Sequence, residues 1–210
     1  LKENGMKKWL VALTGVLFFA PAVFADNWGV GLKLGVGEND PKTMKDLQDE
    51  AVYTSTELDE NSGFFGLEAL YEWTLNEAAN KLGVKLGFDV YGENELKISG
   101  AGDVTEHTYA LPLTVYFKRD NGVQGWSPFA GAGISLFRTE LEATLSGDTE
   151  KEHKSKVAPH LVAGAEYRFT KVFALGLEGK YTFGAKIKKD GAVYSDRSGF
   201  SGALTGRFYF

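Results

Sequence analysis

Residues 158–183 constrain this chain more than any other stretch. Leu161, Ala163, Ala165, Tyr167 and Phe169 share one parity there, and His160, Gly164, Glu166 and Arg168 share the other. After a break at Thr170, Lys171 and Val172 the alternation resumes. Phe173, Leu175, Leu177, Tyr181 and Phe183 now stand against Ala174, Gly176, Glu178, Lys180 and Thr182. A period of two places successive side chains on opposite sides of a pleat, so the stretch predicts a β-hairpin. A helix would scatter its glutamates and lysines around the circumference.

The same pattern recurs along the chain. It predicts strands at residues 28–37, 64–73, 82–91, 107–118, 128–137 and 199–210, which with the hairpin make eight. Pro112, inside the fourth, has no N–H to give the ladder, which predicts a local bulge. The connections at 38–62, 92–105, 140–156 and 184–198 read as long polar loops, and the others as short turns. In the first long connection, Asp40-Pro41 followed by Met44, Leu47 and Ala51 suggests a short helix.

Ahead of the strands, Lys7 and Lys8, an apolar run from Trp9 to Ala20, and Val23-Phe24-Ala25 form the three parts of a secretory signal peptide. The division expected is residues 1–5 as an upstream extension, 6–25 as the signal peptide and 26–210 as a β-barrel. The apolar run is too short to favour a helical anchor of ~20 residues.

The chain has no cysteine, which excludes disulfides and thiolate metal sites. A net charge of −5 without a basic cluster argues against nucleic acid as a partner. No phosphate-binding glycine loop or His/carboxylate metal motif is present, so neither cofactor nor metal is expected.

Alternation alone leaves open which face is buried. Three features place the apolar face outside. The glycines at 29, 31, 35, 66, 83, 87, 131, 133, 164 and 176 lie on the polar face and the rings on the apolar one, whereas an eight-stranded barrel has room inside for side chains and little else. The polar face carries Lys33, Lys85, Arg168, Lys180 and Arg207 together with Glu68, Glu72, Asp89, Glu166 and Glu178. Five positive groups against five negative ones suit an enclosed space, where charges must be paired. Rings gather at strand ends: Trp28, Trp73, Phe117, Tyr167, Phe169, Phe208 and Phe210 at one rim, and Phe88, Phe137, Tyr181 and Phe183 at the other. Such girdles mark the two boundaries of a membrane.

Three segments, residues 127–133 (SPFAGAG), 164–169 (GAEYRF) and the terminal Arg207-Phe208-Tyr209-Phe210, resemble those of small outer-membrane β-barrels of the OmpA/OmpX/OmpW-like type. The resemblance implies an all-β, eight-stranded antiparallel up-and-down transmembrane barrel in the outer membrane of a Gram-negative bacterium. It further implies a periplasmic N-terminus and surface loops. Phe208, Tyr209 and Phe210 resemble the insertion signal read by the barrel assembly machinery. The partners implied are outer-membrane lipids and lipopolysaccharide around a monomer.

For activity, a non-enzymatic structural or adhesion-type surface barrel is expected. A narrow solute channel and a lipid A-modifying enzyme are the alternatives. The third rests on His153-Lys154-Ser155, which resembles the His-x-Ser pair of lipid A deacylases, although Lys156 replaces the asparagine usual after that serine. No catalytic residue is therefore assigned. The acidic first loop (Asp46, Asp49, Glu50, Glu57, Asp59, Glu60) lacks the alternating oxygens of a calcium loop and reads as a solvated charge run. His107 and His160 read as hydrogen-bonding residues.

Overall fold

The computed structural model describes residues 28–38, 56–59, 62–75, 79–98, 102–145, 148–189 and 192–210. The signal peptide, the upstream extension, the helix suggested at Asp40 and most of the acidic loop lie outside these.

Twelve strands are formed: β1 (Trp28–Gly37), β2 (Thr56–Asp59), β3 (Gly63–Thr74), β4 (Asn80–Tyr91), β5 (Asn94–Ile98), β6 (Gly102–Arg119), β7 (Trp126–Leu145), β8 (Asp148–Arg168), β9 (Phe173–Thr182), β10 (Lys186–Lys189), β11 (Ala192–Asp196) and β12 (Gly199–Tyr209). Eight of them close a barrel in the cyclic order β1-β3-β4-β6-β7-β8-β9-β12, every neighbouring pair antiparallel. The pairing of β6 with β7 completes the circle, from Gly102↔Leu145 to Lys118↔Phe129. Consecutive barrel strands are thus neighbours throughout, the up-and-down arrangement that leaves no open edge within the barrel.

Burial follows parity. Leu32, Leu34, Leu86, Leu113, Val115, Ile134, Leu161, Leu177 and Leu204 are exposed on the outer wall, whereas Lys33, Glu68, Lys85, Asp89, Glu166, Lys180 and Arg207 are buried inside. The outward rings form connected rows at the end that carries the short turns. Trp126, Tyr167, Phe169, Phe173 and Phe208 follow one another with centroids 4.8–6.0 Å apart. Tyr71 joins Trp28 at 5.0 Å to Trp73 at 4.7 Å. Trp126 and Phe200, both outward and exposed, extend the girdles beyond the rings expected from sequence.

Glycine inside the barrel makes room for rings on adjacent strands. A Cβ added to Gly164 would lie 2.6 Å from Phe129, and one added to Gly83 would collide with the ring of Tyr116. The small residues of the inner face are thus slots for the few inward aromatics.

Four expectations need correction. Pro112 produces no bulge: β4 and β6 pair from Asn80↔Arg119 to Leu86↔Leu113, lapse, and resume in the same register at Asp89↔Ala110. The proline ring points inward against Gly87, where an added Cβ would lie 2.9 Å from it, so the missing N–H costs a ladder bond without displacing the strand. Phe137 is not a girdle residue but is buried with Phe64 and Tyr91, because the parity that sends Ile134 and Leu136 out sends Phe137 in. The segment 140–156 is no loop; β7 and β8 continue pairing to Leu145↔Asp148. The connections at 92–105 and 184–198 likewise contain β5 and the β10–β11 hairpin.

One wall of the barrel is consequently much taller than the other. β7 and β8 run for 20 and 21 residues, β1 and β9 for 10 each. Above the barrel, β5 takes the place of β4 beside β6, from Asn94↔Glu106 to Ile98↔Gly102, and β2 pairs with β5. A sheet in the order β2-β5-β6-β7-β8 therefore projects from the loop end.

Candidate functional site

Two features have the character of a site: the filled lumen and the projecting sheet. In the lumen, the guanidinium of Arg207 on β12 reaches three strands. Nε donates to Glu68 at 2.6 Å, Nη1 to Glu166 at 3.0 Å and Nη2 to Glu178 at 3.2 Å. The planar five-donor fork suits such divided attention better than a lysine would. Lys85 donates to Glu178 and stands 3.9 Å from Glu68. Lys33 and Lys180 hold the two oxygens of Asp89 at 2.5 and 3.5 Å.

Nearer the turn end, Lys118 joins Glu72 and lies 2.9 Å from Glu166. The hydroxyls of Tyr116 and Tyr209 donate to Glu72 and Glu166 at 2.8 and 2.7 Å. Arg168 sits 3.7 Å from Glu166 and 3.4 Å from Asp120, its guanidinium 4.4 Å from the centroid of Tyr209. Of the ten charged residues singled out from sequence, Lys33, Asp89 and Lys180 form a triad of their own, and the other seven join one network around Arg207. Lys118, Lys81, Asp120, Tyr116 and Tyr209 also belong to it and were missed. Parity already placed Lys118 opposite Phe117, but as the last residue of its expected strand it was read as a terminus.

Little space remains. The gap between Lys33, Glu68, Lys85, Gly87, Pro112, Thr114, Glu178 and Lys180 measures about 10 Å³, room for about one water. Beside it, His160 bonds Thr114 at 2.9 Å and Ser135 at 3.0 Å through its two ring nitrogens.

Above the charges the bore is closed by Phe64, Tyr91, Ala110, Phe137 and Ala158, onto which Ala185 and Ile187 pack from the segment around β10. Arg197, just after β11, donates to Glu106 at 2.8 Å and to Thr108 at 3.1 Å, and Ser195 adds a bond to the same carboxylate. Glu106 and Arg197 fell in stretches read as loop or loop edge, and no sequence signal pointed to their pairing.

On the projecting sheet, Leu96 and Val104 are buried with Leu141 and Ala143 packed against them. The opposite face of its β7–β8 part carries Arg138, Glu140, His153 and Ser155. His153 lies 3.6 Å from Glu140, and His107 lies 3.6 Å from Glu93. Ser155 stands across from Arg138, and among the described residues no hydrogen bond joins it to His153. No cluster of three or more His, Asp or Glu with the geometry of a metal site occurs among the described residues.

Residues 10–208 match the model of the outer membrane protein beta-barrel domain. The chain is similar to the crystal structure of the outer membrane protein OprG from Pseudomonas aeruginosa, with TM-score 0.50, 11% identity and coverage of 88% of this chain and 96% of that one. Neisserial surface protein A gives TM-score 0.49 at 16% identity, covering 87% and 97%. Ail, the attachment invasion locus protein of Yersinia pestis, gives 0.47 at 14%, covering 88% and 99%. No curated protein matches the chain in sequence. At these identities the likeness speaks for the fold alone.

Two predictions follow the charges. Arg207→Met takes one charge partner from each of three buried carboxylates and is expected to cost about 3–5 kcal/mol, read as a lowered urea midpoint of the folded, heat-modifiable band. Restoring balance with Glu68→Gln in the same chain recovers part of the loss. At the turn end, burial pushes the pKa of Asp120 up, but the bond from Lys81 (2.6 Å), the Gly122 amide (3.0 Å) and Arg168 outweigh it and hold the carboxyl at about 2, below its ordinary 3.8. A depressed carboxylate stabilises above its unfolded value and loses that contribution as pH falls through the folded one. Asp120→Asn should therefore cost about 2 kcal/mol at pH 7, with the difference from wild type closing between about pH 4 and pH 2 in acid unfolding.

Proposed function

Because the chain belongs to the outer membrane protein β-barrel domain family and resides in the outer membrane, we propose that it is a non-enzymatic surface protein, a sealed barrel that holds the β2-β5-β6-β7-β8 sheet outside the cell. The observation that carries this reading is the unequal wall. Some ten residues of β7 and of β8 continue past the last outward apolar residues, Leu136 and Val157, with Arg138, Glu140, His153 and Ser155 facing out. Such polar residues do not belong in hydrocarbon, and at ~3.4 Å per residue the extension reaches on the order of 30 Å beyond the belt. The loop end then lies outside and the short turns in the periplasm, the usual arrangement for barrels of this size.

The outward belt contacts outer-membrane lipids and lipopolysaccharide, and Phe208, Tyr209 and Phe210 serve as the insertion signal for the assembly machinery. Within one membrane the barrel stands as a monomer. The channel reading is disfavoured by the bore, which among the described residues is filled by paired charges, inward rings and the Ile187 contact. The enzyme reading is disfavoured at Ser155, whose hydroxyl lacks the hydrogen bond to His153 that activates a nucleophilic serine.

Planar-bilayer recording should show no steady single-channel steps. A cysteine placed at Ser155 of this cysteine-free chain should react with a membrane-impermeant maleimide on intact cells. Stepwise conductance or an unlabelled cysteine would overturn the proposal. Ser155→Ala should leave the acylation of lipid A unchanged by mass spectrometry; a lost acyl-chain difference between expressing and non-expressing cells would revive the enzyme.

A further inference from the structure

The projecting sheet ends on two edges that no strand among the described residues pairs, the short β2 and the upper part of β8, of which β8 is the longer. β8 pairs with β7 along its whole length, but β9 leaves it at His160↔Thr182. The amide of Phe183 donates to the carbonyl of Pro159 at 2.9 Å, so residues of odd number turn their N–H and C=O groups toward the β9 side. Continued upward, that parity turns the backbone groups of residues 149, 151, 153, 155 and 157 to a side where no strand among the described residues pairs with them, the β10 segment packing near the lower end. An edge of this kind is a template for another strand.

The side chains along it say which strand. The run Lys151-Glu152-His153-Lys154-Ser155 has opposite charges placed symmetrically about His153. We propose that this edge pairs with the same edge of a second copy, antiparallel and centred on His153; the idea rests on the surface reading above. In that register residues whose numbers sum to 306 face each other. The odd residues form the hydrogen-bonded pairs, His153 with its own counterpart and Lys151 with Ser155, as the directed backbone groups require. Glu152 then faces Lys154 of the second copy, twice, in the non-hydrogen-bonded pairs where side chains approach most closely. Glu152 and Lys154 are already 3.2 Å apart within one chain, so the two pairs merge into a four-charge cluster.

The geometry fixes the setting. Two barrels in one membrane are related by a rotation about its normal, which makes their β8 strands parallel. Parallel copies meeting through this same edge would oppose odd-numbered N–H with N–H in exact register, so a parallel ladder forms only after a slip of one residue, and neither slip sets Glu152 against Lys154. Antiparallel pairing needs the two barrels to point in opposite directions, so it joins two facing membranes. The occupant of the edge is a second copy on an apposed surface.

The test uses the full barrel in phosphatidylcholine vesicles, with clustering followed by light scattering. Wild-type vesicles should cluster. Glu152→Lys vesicles and Lys154→Glu vesicles should each lose on the order of tenfold in apparent association, because two attractive pairs become repulsive. Mixed together, these two populations should cluster again, since each supplies the charge the other lacks. That recovery also shows that both variants are folded. In wild-type background, His153→Cys should be captured as a dimer by a short bis-maleimide. Val157→Cys, which lies ~27 Å from its counterpart in this register, should not be.

Clustering that is insensitive to the charge variants, mixed variants that stay dispersed, or equal capture at both cysteines would overturn the proposal. A cysteine at 155 that is labelled on cells while vesicles remain dispersed would end the self-pairing idea and leave the surface reading standing; an unlabelled one would end both.

Discussion

A bore of eight strands is too narrow for bulk water, and every charge turned into it must find a partner there. The rest of this structure follows from that constraint. An isolated carboxylate or ammonium in such surroundings would cost several kcal/mol, so the inward charges are organised as pairs, a large set centred on Arg207 and a Lys33–Asp89–Lys180 triad beside it. The pairs tie together strands distant in sequence: Arg207 on β12 binds Glu68 on β3, and Lys118 on β6 binds Glu166 on β8. Ladder bonds join neighbours around the circumference, whereas these bonds run across the bore. The network thus opposes flattening of the barrel, which the ladder alone does not.

Filling by charge has a corollary in the inward rings. Phe129, Tyr116 and Phe64 are each accommodated where a neighbouring strand has glycine, and the cations lie close to the ring faces, with Arg207 5.1 Å from the centroid of Phe129. Glycine inside this barrel is a volume match to an aromatic partner, which explains why so many of the strand glycines share the parity of the charges. The lumen is packed as a protein core is packed, with ion pairs where a soluble protein would have leucines.

Much of this was legible in the sequence because period two is unambiguous where the outer face is uniformly apolar. Leu32, Leu34, Val36 and their counterparts had to face one way, and Lys33, Glu68 and Arg207 the other. The pattern lost its power where the chain leaves the membrane. Beyond Leu136 and Val157 both faces are polar, so strand and solvated loop look alike, and β7 and β8 were read as ending about eight to ten residues early. Phe137 was misplaced by the habit of assigning rings to girdles, although its parity was plain. The pairing of Glu106 with Arg197 depends on β6 and the segment after β11 meeting above the bore, a contact across 91 residues that no local pattern encodes.

The height difference between the walls also settles what kind of edge the protein exposes. Where β1, β9 and β12 stop, the barrel is closed and has no edge; where β8 continues beside β7 past the end of β9, no strand among the described residues pairs its other side for about ten residues. An unprotected edge in a crowded membrane would recruit neighbouring copies, all standing the same way up. Such copies meet through the same edge, so in exact register their odd-numbered N–H and C=O groups oppose like with like, and a parallel ladder forms only after a slip of one residue. That slip sets Glu152 against Lys151 or His153 and Lys154 against His153 or Ser155, so the symmetric Glu152–Lys154 pairs do not form. Backbone phase and the order of charges therefore coincide for antiparallel approach from a facing surface, where Glu152 meets Lys154 on both sides of His153.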